Sequence, residues 1–384
     1  MPVPARVPVP GIETAHPSPL IEARGIWVTR WDFKTADDVV AIMDTCASAG
    51  FNQVYFQVRG TADAYYRSTL EPWAAPLSGK LGKDPGWDPL QVAVEAAHER
   101  NLELHAWINV ATAWKGERPP GWSKPAHILR AHPGWRMVYK NGKPMPYADA
   151  YIFVSPANPE FQEHIQAVVA EIASYYDVDG MHFDYTRYPA PDTSYDQVSN
   201  RLYWKAKKKN AKLTRAAWQR EELTGLVVKL KDRVKEVKPA AVVSAAVTGV
   251  YQDRWGWGEV VKGFSDFHQD SHGWAQAGAV DALIPMIYWK PTNPPGGKSD
   301  YQTLVKDFAA LLEKVQVLSG INVEAGGFKV LENEIRIARE NNYPGVVLFA
   351  YAALKERGWF AKLKTGVFKD PALPREPKKV AVKP

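Results

Sequence analysis

The sequence holds one cysteine, Cys46, in 384 residues, so it can build neither an intrachain disulfide nor a cysteine-based zinc site. Cys46 falls among Val39, Val40, Ile42 and Met43, a pattern that puts it on the buried face of a helix. No run approaches the roughly 18 consecutive apolar residues of a membrane-spanning helix. The first residues lack the apolar stretch of a signal peptide, and no integral membrane segment is expected. A large charge of one sign is also missing: 48 Lys+Arg against 42 Asp+Glu leave only +6. Much of that excess lies in Lys205 to Arg215 and in Lys369 to Lys383, which leaves the core near neutral. A nucleic-acid partner is not expected, because such proteins carry a basic stripe across the folded face. Lys207-Lys208-Lys209 reads as a solvated loop or helix face. There is no G-x-S-x-G elbow, G-x-x-x-x-G-K-S/T loop, H-E-x-x-H helix or G-x-G-x-x-G turn, so hydrolase-elbow, phosphate, zincin and dinucleotide chemistry lose their usual signals. His127/His132 and His268/His272 fall in loop-like stretches that solvation explains. No metal site and no cofactor are expected.

What is present is a globular composition, 46% hydrophobic and 23% charged, which rules out wholesale disorder. Its oddity is 15 Trp and 17 Tyr, many near strand ends or between elements. Flat aromatic faces suit sugar rings, and they also fill cores. Six prolines make residues 1–20 a leader or linker. Residues 367–384 read as a basic, proline-containing tail with too little apolar surface to pack, leaving a folded body over 21–366.

Within that body, short apolar runs alternate with helical periodicity. Strands are expected near Gly25–Trp31, Gln53–Arg59, Glu103–Val110, Gly180–Tyr185, Val242–Val250, Ala282–Trp289, Val315–Ile321 and Val346–Tyr351. Helices are expected near Ala36–Ala49, Leu90–Arg100, Pro159–Tyr176, Ala216–Lys238, Tyr301–Glu313 and Lys329–Asn341, with a less clear segment around Val250–Gly278. Eightfold alternation predicts a single α/β domain, a (β/α)8 TIM barrel with long strand-to-helix loops; an open doubly wound sheet uses the same alternation. Within strands the residues alternate. Val54, Phe56 and Val58 are apolar while Gln53, Gln57 and Arg59 are polar. Leu104, Ala106 and Ile108 oppose His105, Trp107 and Asn109. His182 and Asp184 share a face, as do Phe349 and Tyr351. Strands buried on two apolar faces would be nearly continuous Val/Ile/Leu, so this split marks either a functional interior or a hydrogen-bonded polar core layer. The longest connection, Ala111 to Ala157, carries Trp114, Trp122, Trp135 and a hairpin signal at Asn141-Gly142. Such loops form the active-site face of a barrel.

The strongest local signal is Asp179-Gly-Met-His-Phe-Asp184-Tyr-Thr-Arg-Tyr-Pro189, in which a strand carries a carboxylate to its C-terminal end and a proline stops it. Glycoside hydrolysis needs a proton donor at the leaving oxygen and usually a second carboxylate. Asp184 is the first candidate for the donor. His182, one pleat below, and Arg187 could tune its pKa; Asp184–Arg187 could equally be a structural ion pair.

Several stretches appear in order: Arg24-Gly-Ile-Trp27, Phe56-Gln-Val-Arg59, His105-Ala-Trp-Ile-Asn109, Ser155-Pro-Ala-Asn-Pro-Glu160, Tyr176-Asp-Val-Asp-Gly180 through Pro189, Pro285-Met-Ile-Tyr288, and Gly345 to Tyr351. Over about residues 24 to 353 the chain resembles the bacterial glycosyl-hydrolase-like family ten, TIM-barrel proteins similar to family 10 glycosidases. The resemblance implies a (β/α)8 fold and glycosidase activity on a polysaccharide or oligosaccharide, with some relatives acting on peptidoglycan glycan strands stripped of peptides. It also implies export to the periplasm or beyond. From family 10, with its acid on strand four and nucleophile on strand seven, Glu324 becomes the positional candidate for the second carboxylate. Asp32, Asp63 and Asp253 are its rivals, and Glu324 could instead be a helix-start residue. The pattern also looks like the chitinase-type layout in which the substrate's N-acetyl group attacks, but that layout wants a glutamic acid where Thr186 stands. On this reading Arg59, Asn109, Arg187 and Tyr288 bond sugar hydroxyl or acetamido groups, His182 supports Asp184, and Trp107, Trp114 and Trp289 stack on rings. The other reading open to the sequence is a non-catalytic glycan-binding barrel.

Overall fold

The computed structural model describes residues 20–374. Eight parallel strands close on themselves: Ala23–Val28, Gln53–Arg59, Glu103–Asn109, Gly180–Asp184, Val242–Thr248, Ala282–Ile287, Ser319–Asn322 with the short Gln316–Val317 before it, and Gly345–Phe349. Each pairs with its neighbour in sequence order. Val346 opposite Arg24 joins the eighth to the first, and closure leaves no exposed edge. All eight expected strands are found with ends shifted by up to three residues, and the open doubly wound sheet is excluded.

Alternation explains the packing. Even-numbered Val54, Phe56, Val58, Leu104, Ala106 and Ile108 face the outer helices in the main apolar core, while Trp27, Tyr55, Trp107, Ile284 and Val347 fill the barrel interior. The interior is crowded with rings, the Tyr55 centroid lying 4.8 Å from both His105 and His182. Gly180 is required by this crowding, because a Cβ there would stand 2.1 Å from His105 Nδ1.

The surrounding helices begin where local chemistry dictates. Thr35 and Asp38 form a capping box before Ala36–Ala49, and Asn158 caps Pro159–Tyr175 with proline at the first turn. The expected helices Leu90–Arg100, Ala216–Lys238 and Lys329–Asn341 are seen as Pro89–His98, Arg215–Val237 and Phe328–Glu340. Helix Tyr301–Ala309 stops four residues short of expectation, and Val250–Gly278 resolves into Gly263–Asp266 and Ser271–Ala277.

Three features differ from the sequence reading. Gln197–Lys209 is a helix whose apolar stripe is too narrow to stand out from its lysines. Tyr351 does not share a strand face with Phe349; it opens helix Tyr351–Glu356, followed by Phe360–Thr365. The folded body does not end at 366. Phe368 is fully buried, 5.4 Å from the Phe51 ring, and Arg24 donates to the carbonyls of Phe368 and Asp370. Ala372–Leu373 then pairs in parallel with Leu20–Ile21. One aromatic side chain and two accepting carbonyls thus anchor a segment whose composition suggested a tail. The rest of the expected leader and tail, 1–19 and 375–384, lies outside the described residues.

Between the third and fourth strands, Thr112–Gly116 and Ala148–Phe153 form an antiparallel ribbon that raises one wall of the barrel mouth. Asn141-Gly142 sits in a tight turn between Tyr139 and Lys143, Gly142 taking φ +81°. No helix among the described residues is long and apolar enough to cross a membrane.

Candidate active site

A cleft of ≈ 350 Å³ opens at the C-terminal ends of the strands. The strands contribute Trp27, Gln57, Trp107, Asn109, Asp184, Ala246, Met286 and Phe349 to its lining. The loops contribute Thr29, Arg30, Trp31, Tyr185, Arg187 and Tyr288, and the antiparallel ribbon contributes Tyr151. Asp184 is the only carboxylate among these residues.

Asp184 is 6% exposed. Burial pushes its carboxyl above the usual carboxylate range, against the pull of the Arg187 guanidinium 3.5 Å away and the Tyr185 N–H, which donates to Oδ1 at 2.5 Å. The Trp107 indole N–H, buried and without a hydrogen-bond partner of good geometry, pulls weakly in the same direction. Tyr185 holds a left-handed backbone, φ 51°, at the turn out of the strand. Arg187 lies over the Tyr185 ring at 4.3 Å, which fixes its plane beside the acid. Burial and the Asp184 charge push the Tyr288 hydroxyl well up, so it is a neutral donor; its ring stacks on Phe349 at 5.4 Å.

The opposite wall is a hydrogen-bonded chain. Asn109, in register beside Asp184, accepts from Gln57 Nε2 at 3.2 Å and donates to the Gly60 carbonyl, while Gln57 Oε1 accepts from the Arg30 N–H. Arg30 donates to Tyr151 Oη at 3.0 Å and lies 4.5 Å over the Trp31 ring. Trp31, 60% exposed, presents its other face at the mouth. One acid, two guanidinium groups, amide and phenol donors and several flat rings suit a saccharide.

Of the residues expected at the site, the structure brings together Asp184, Asn109, Trp107, Arg187 and Tyr288. Arg59 is elsewhere. A β-bulge between Gln57 and Arg59 breaks the alternation, and its guanidinium makes a buried bidentate pair with Glu71, at 2.7 Å on both arms, and bonds the Asn109 carbonyl. His182 is sealed beneath the cleft. Its Nε2 accepts from Trp27 Nε1 at 3.0 Å, so Nδ1 donates to Ser244 Oγ at 2.9 Å. Burial, and the nearby His105, hold its pKa well below the ordinary value. It is a neutral core group without a bond to Asp184.

Trp114 donates to the Arg118 carbonyl and packs edge-on to His127, off the cleft. Trp289, past the end of its strand, leans on the outer core. Glu324 is exposed in a turn where its N–H donates to Asn322 Oδ1, and it does not line the cleft. Its rivals are braces as well: Asp32 accepts from Thr29, Asp63 from Thr61, and Asp253 from the N–H groups of Trp255, Trp257 and Gly258. Thr186 is fully buried below the surface. No group of three or more metal-ligating side chains converges among the described residues.

A family model described as Glycosyl hydrolase-like 10 matches residues 22–327. The chain belongs to that family. It is 29% identical over 289 residues to glycosyl hydrolase YngK of Bacillus subtilis, covering 70% of this chain and 54% of that protein. It is 29% identical over 255 residues to glycosyl hydrolase DigH of Escherichia coli K12, covering 64% and 56%. The chain thus spans about half the length of the curated relatives it matches. Among solved structures, the glycoside hydrolase domain of PgaB (BpsB) from Bordetella bronchiseptica aligns with a TM-score of 0.64 at 13% identity, covering 89% of this chain and 98% of that one. The β-amylase catalytic domain of Paenibacillus polymyxa aligns at 0.61 with 12% identity, covering 88% and 97%. These last likenesses share the barrel fold of this glycosyl hydrolase-like 10 chain.

Proposed function

We propose that the protein hydrolyses glycosidic bonds of a polysaccharide lying across the cleft, with Asp184 as proton donor, and that its substrate is an N-acetylated glycan such as peptide-free peptidoglycan strands. The observation that carries the reading is a single carboxylate, raised in pKa by burial, at the end of the fourth strand of a glycosidase-family barrel. A general acid must hold its proton at working pH, and burial favours that form. Enzymes that retain configuration with two carboxylates keep them about 5–5.5 Å apart. With no second acid in the cleft lining, a substrate that supplies its own nucleophile fits better.

The acetamido oxygen attacks C1 as the C1–O bond breaks, and the Asp184 proton passes to the leaving oxygen. Water then opens the resulting ring, its proton returning to the Asp184 carboxylate. Tyr288 and Asn109 stand where they can donate to the acetamido carbonyl and to ring hydroxyls. Trp31 and Phe349 offer stacking faces. An exported site of action goes with this substrate class, and fractionation of the producing cells checks it.

The test is incubation with peptide-free peptidoglycan strands, N-acetylated chitin oligomers and xylan, followed by assay of new reducing ends. Cleavage of the acetylated glycans alone is expected. Cleavage of xylan at an equal rate would remove the role of the acetamido group.

The lone carboxylate also favours a second reading, a barrel that binds glycan without cutting it. Calorimetric binding with intact product chains would establish that reading, and measurable hydrolysis would end it.

A further inference from the structure

Helix Gln197–Lys209 stands between the fourth strand, which ends at Asp184, and the returning helix Arg215–Val237, so it lies on the cleft side of the barrel. Its inner face is fixed by packing. Ser199 is buried and bonded to Asp196, while Leu202, Tyr203 and Ala206 pack against Ala157, Leu213 and Trp218. Helical periodicity then turns Arg201, Trp204, Lys205 and Lys208 outward together, and all four are exposed.

This face is unusual in sign. Residues 197–220 contain eight Lys and Arg and no Asp or Glu, so the segment carries +8 in a chain whose total is +6 and the remainder sums to −2. Arg215 and Arg220 belong to the next helix and bond the Ser194 and Phe264 carbonyls, so the exposed charge rests on five other side chains. Among the described residues, none of Arg201, Lys205, Lys208, Lys209 and Lys212 makes an ion pair. Lys207 alone of the lysine run turns back, donating to the Leu213 carbonyl at 2.8 Å. In the middle of the cationic face Trp204 is 59% exposed.

We propose that this helix face is a docking site for an anionic polysaccharide. The ammonium and guanidinium groups meet carboxylates borne along the polymer, and the Trp204 indole stacks on a sugar ring. The alternative occupant of a basic helix, an anionic membrane, asks for a broad apolar face beneath the charges. Here Leu202, Tyr203 and Ala206 are spent on Ala157, Leu213 and Trp218, and Trp204 is the only large apolar side chain of the helix left exposed. The inference rests on the polysaccharide reading of the cleft only in choosing a glycan over another polyanion.

The test titrates the full chain with polygalacturonate, neutral dextran and phosphatidylglycerol vesicles over a range of salt. Polygalacturonate is expected to bind with an affinity that falls steeply with salt, and dextran not to bind. Lys205→Glu with Lys208→Glu should weaken the polymer complex at least tenfold, and Lys205→Gln with Lys208→Gln should weaken it less. Trp204→Ala should weaken it severalfold without changing the salt dependence. Melting temperatures should not move, because these side chains are exposed. Retention of full affinity after charge reversal would overturn the proposal, as would tighter binding to the vesicles than to the polymer. Polymer binding with no turnover of any glycan would sink the hydrolase reading and leave this one standing.

Discussion

Gly60→Ala is expected to damage the cleft wall while leaving the barrel folded. A Cβ at this position would lie 2.3 Å from Arg30 Nη1, 2.4 Å from Cζ and 2.6 Å from Nε, where ordinary contact begins at 3.4 Å. The guanidinium must therefore withdraw by about 1 Å, and it can, being the end of a flexible side chain. Withdrawal breaks the 3.0 Å bond to Tyr151 Oη and disturbs the stacking over Trp31 at 4.5 Å. A hydrogen bond from a charged donor contributes about 1.5–3 kcal/mol, and a cation–π contact at an exposed ring about 0.5–1 kcal/mol. The expected loss is therefore about 2–4 kcal/mol, a fall of several degrees in Tm. Calorimetric unfolding of Gly60→Ala, Tyr151→Phe and the double variant checks it. If the cost passes through the Arg30–Tyr151 bond, the double variant loses less than the two single changes together, by about 1–2 kcal/mol. Strict additivity, or an unaltered Tm in Gly60→Ala, would refute this account of why residue 60 is glycine.

Other consequences can be checked independently. Glu334 is 2% exposed, and burial pushes its carboxyl up to about 8. The folded chain then holds a proton that the unfolded chain releases near 4.5, so stability is highest below that pH and is lost as pH rises toward 8. Glu334→Gln should gain on the parent across this window by up to about 5 kcal/mol, and parallel pH–stability curves would show the assignment wrong. Phe368→Ala should cost about 3–5 kcal/mol in denaturant unfolding, since the ring is fully buried between Phe51 and Arg24; a loss below about 1 kcal/mol would return residues 367–374 to the status of a tail. His182, bonded at both ring nitrogens, should show imidazole NMR shifts that do not change between pH 5 and 8, and an inflection near its ordinary value would contradict the neutral core assignment.

The barrel was legible because its signal is periodic: alternating residues in Gln53–Arg59 and Glu103–Asn109 already separated the helix-facing side from the interior. The same periodicity put Asp184, Asn109 and Trp107 on the inward face, and all three line the cleft, since each stands on an undistorted stretch of strand. It misled at Arg59, where one bulge turns the side chain toward Glu71, and at Trp289, which lies beyond the last paired residue. Polarity on the inward face did not distinguish depth, so His182, a layer below Asp184, looked like a site residue. The largest omissions, Arg30 and Trp31 from the loop after the first strand and Tyr151 from the antiparallel ribbon, meet through tertiary contacts such as the space left by Gly60. Trp31 was read as the last residue of the first strand, which ends instead at Val28, so the sequence carried no sign of its place at the mouth.

The proposed hydrolysis depends on Asp184 acting as the acid of the cleft. The most direct measurement is steady-state hydrolysis of an N-acetylated oligosaccharide by the parent and by Asp184→Asn, followed across pH. The expected result is a fall in kcat of about 10²–10⁴ with KM changed little, and parental activity that declines as alkali removes the proton burial has retained. Equal turnover by Asp184→Asn would contradict it.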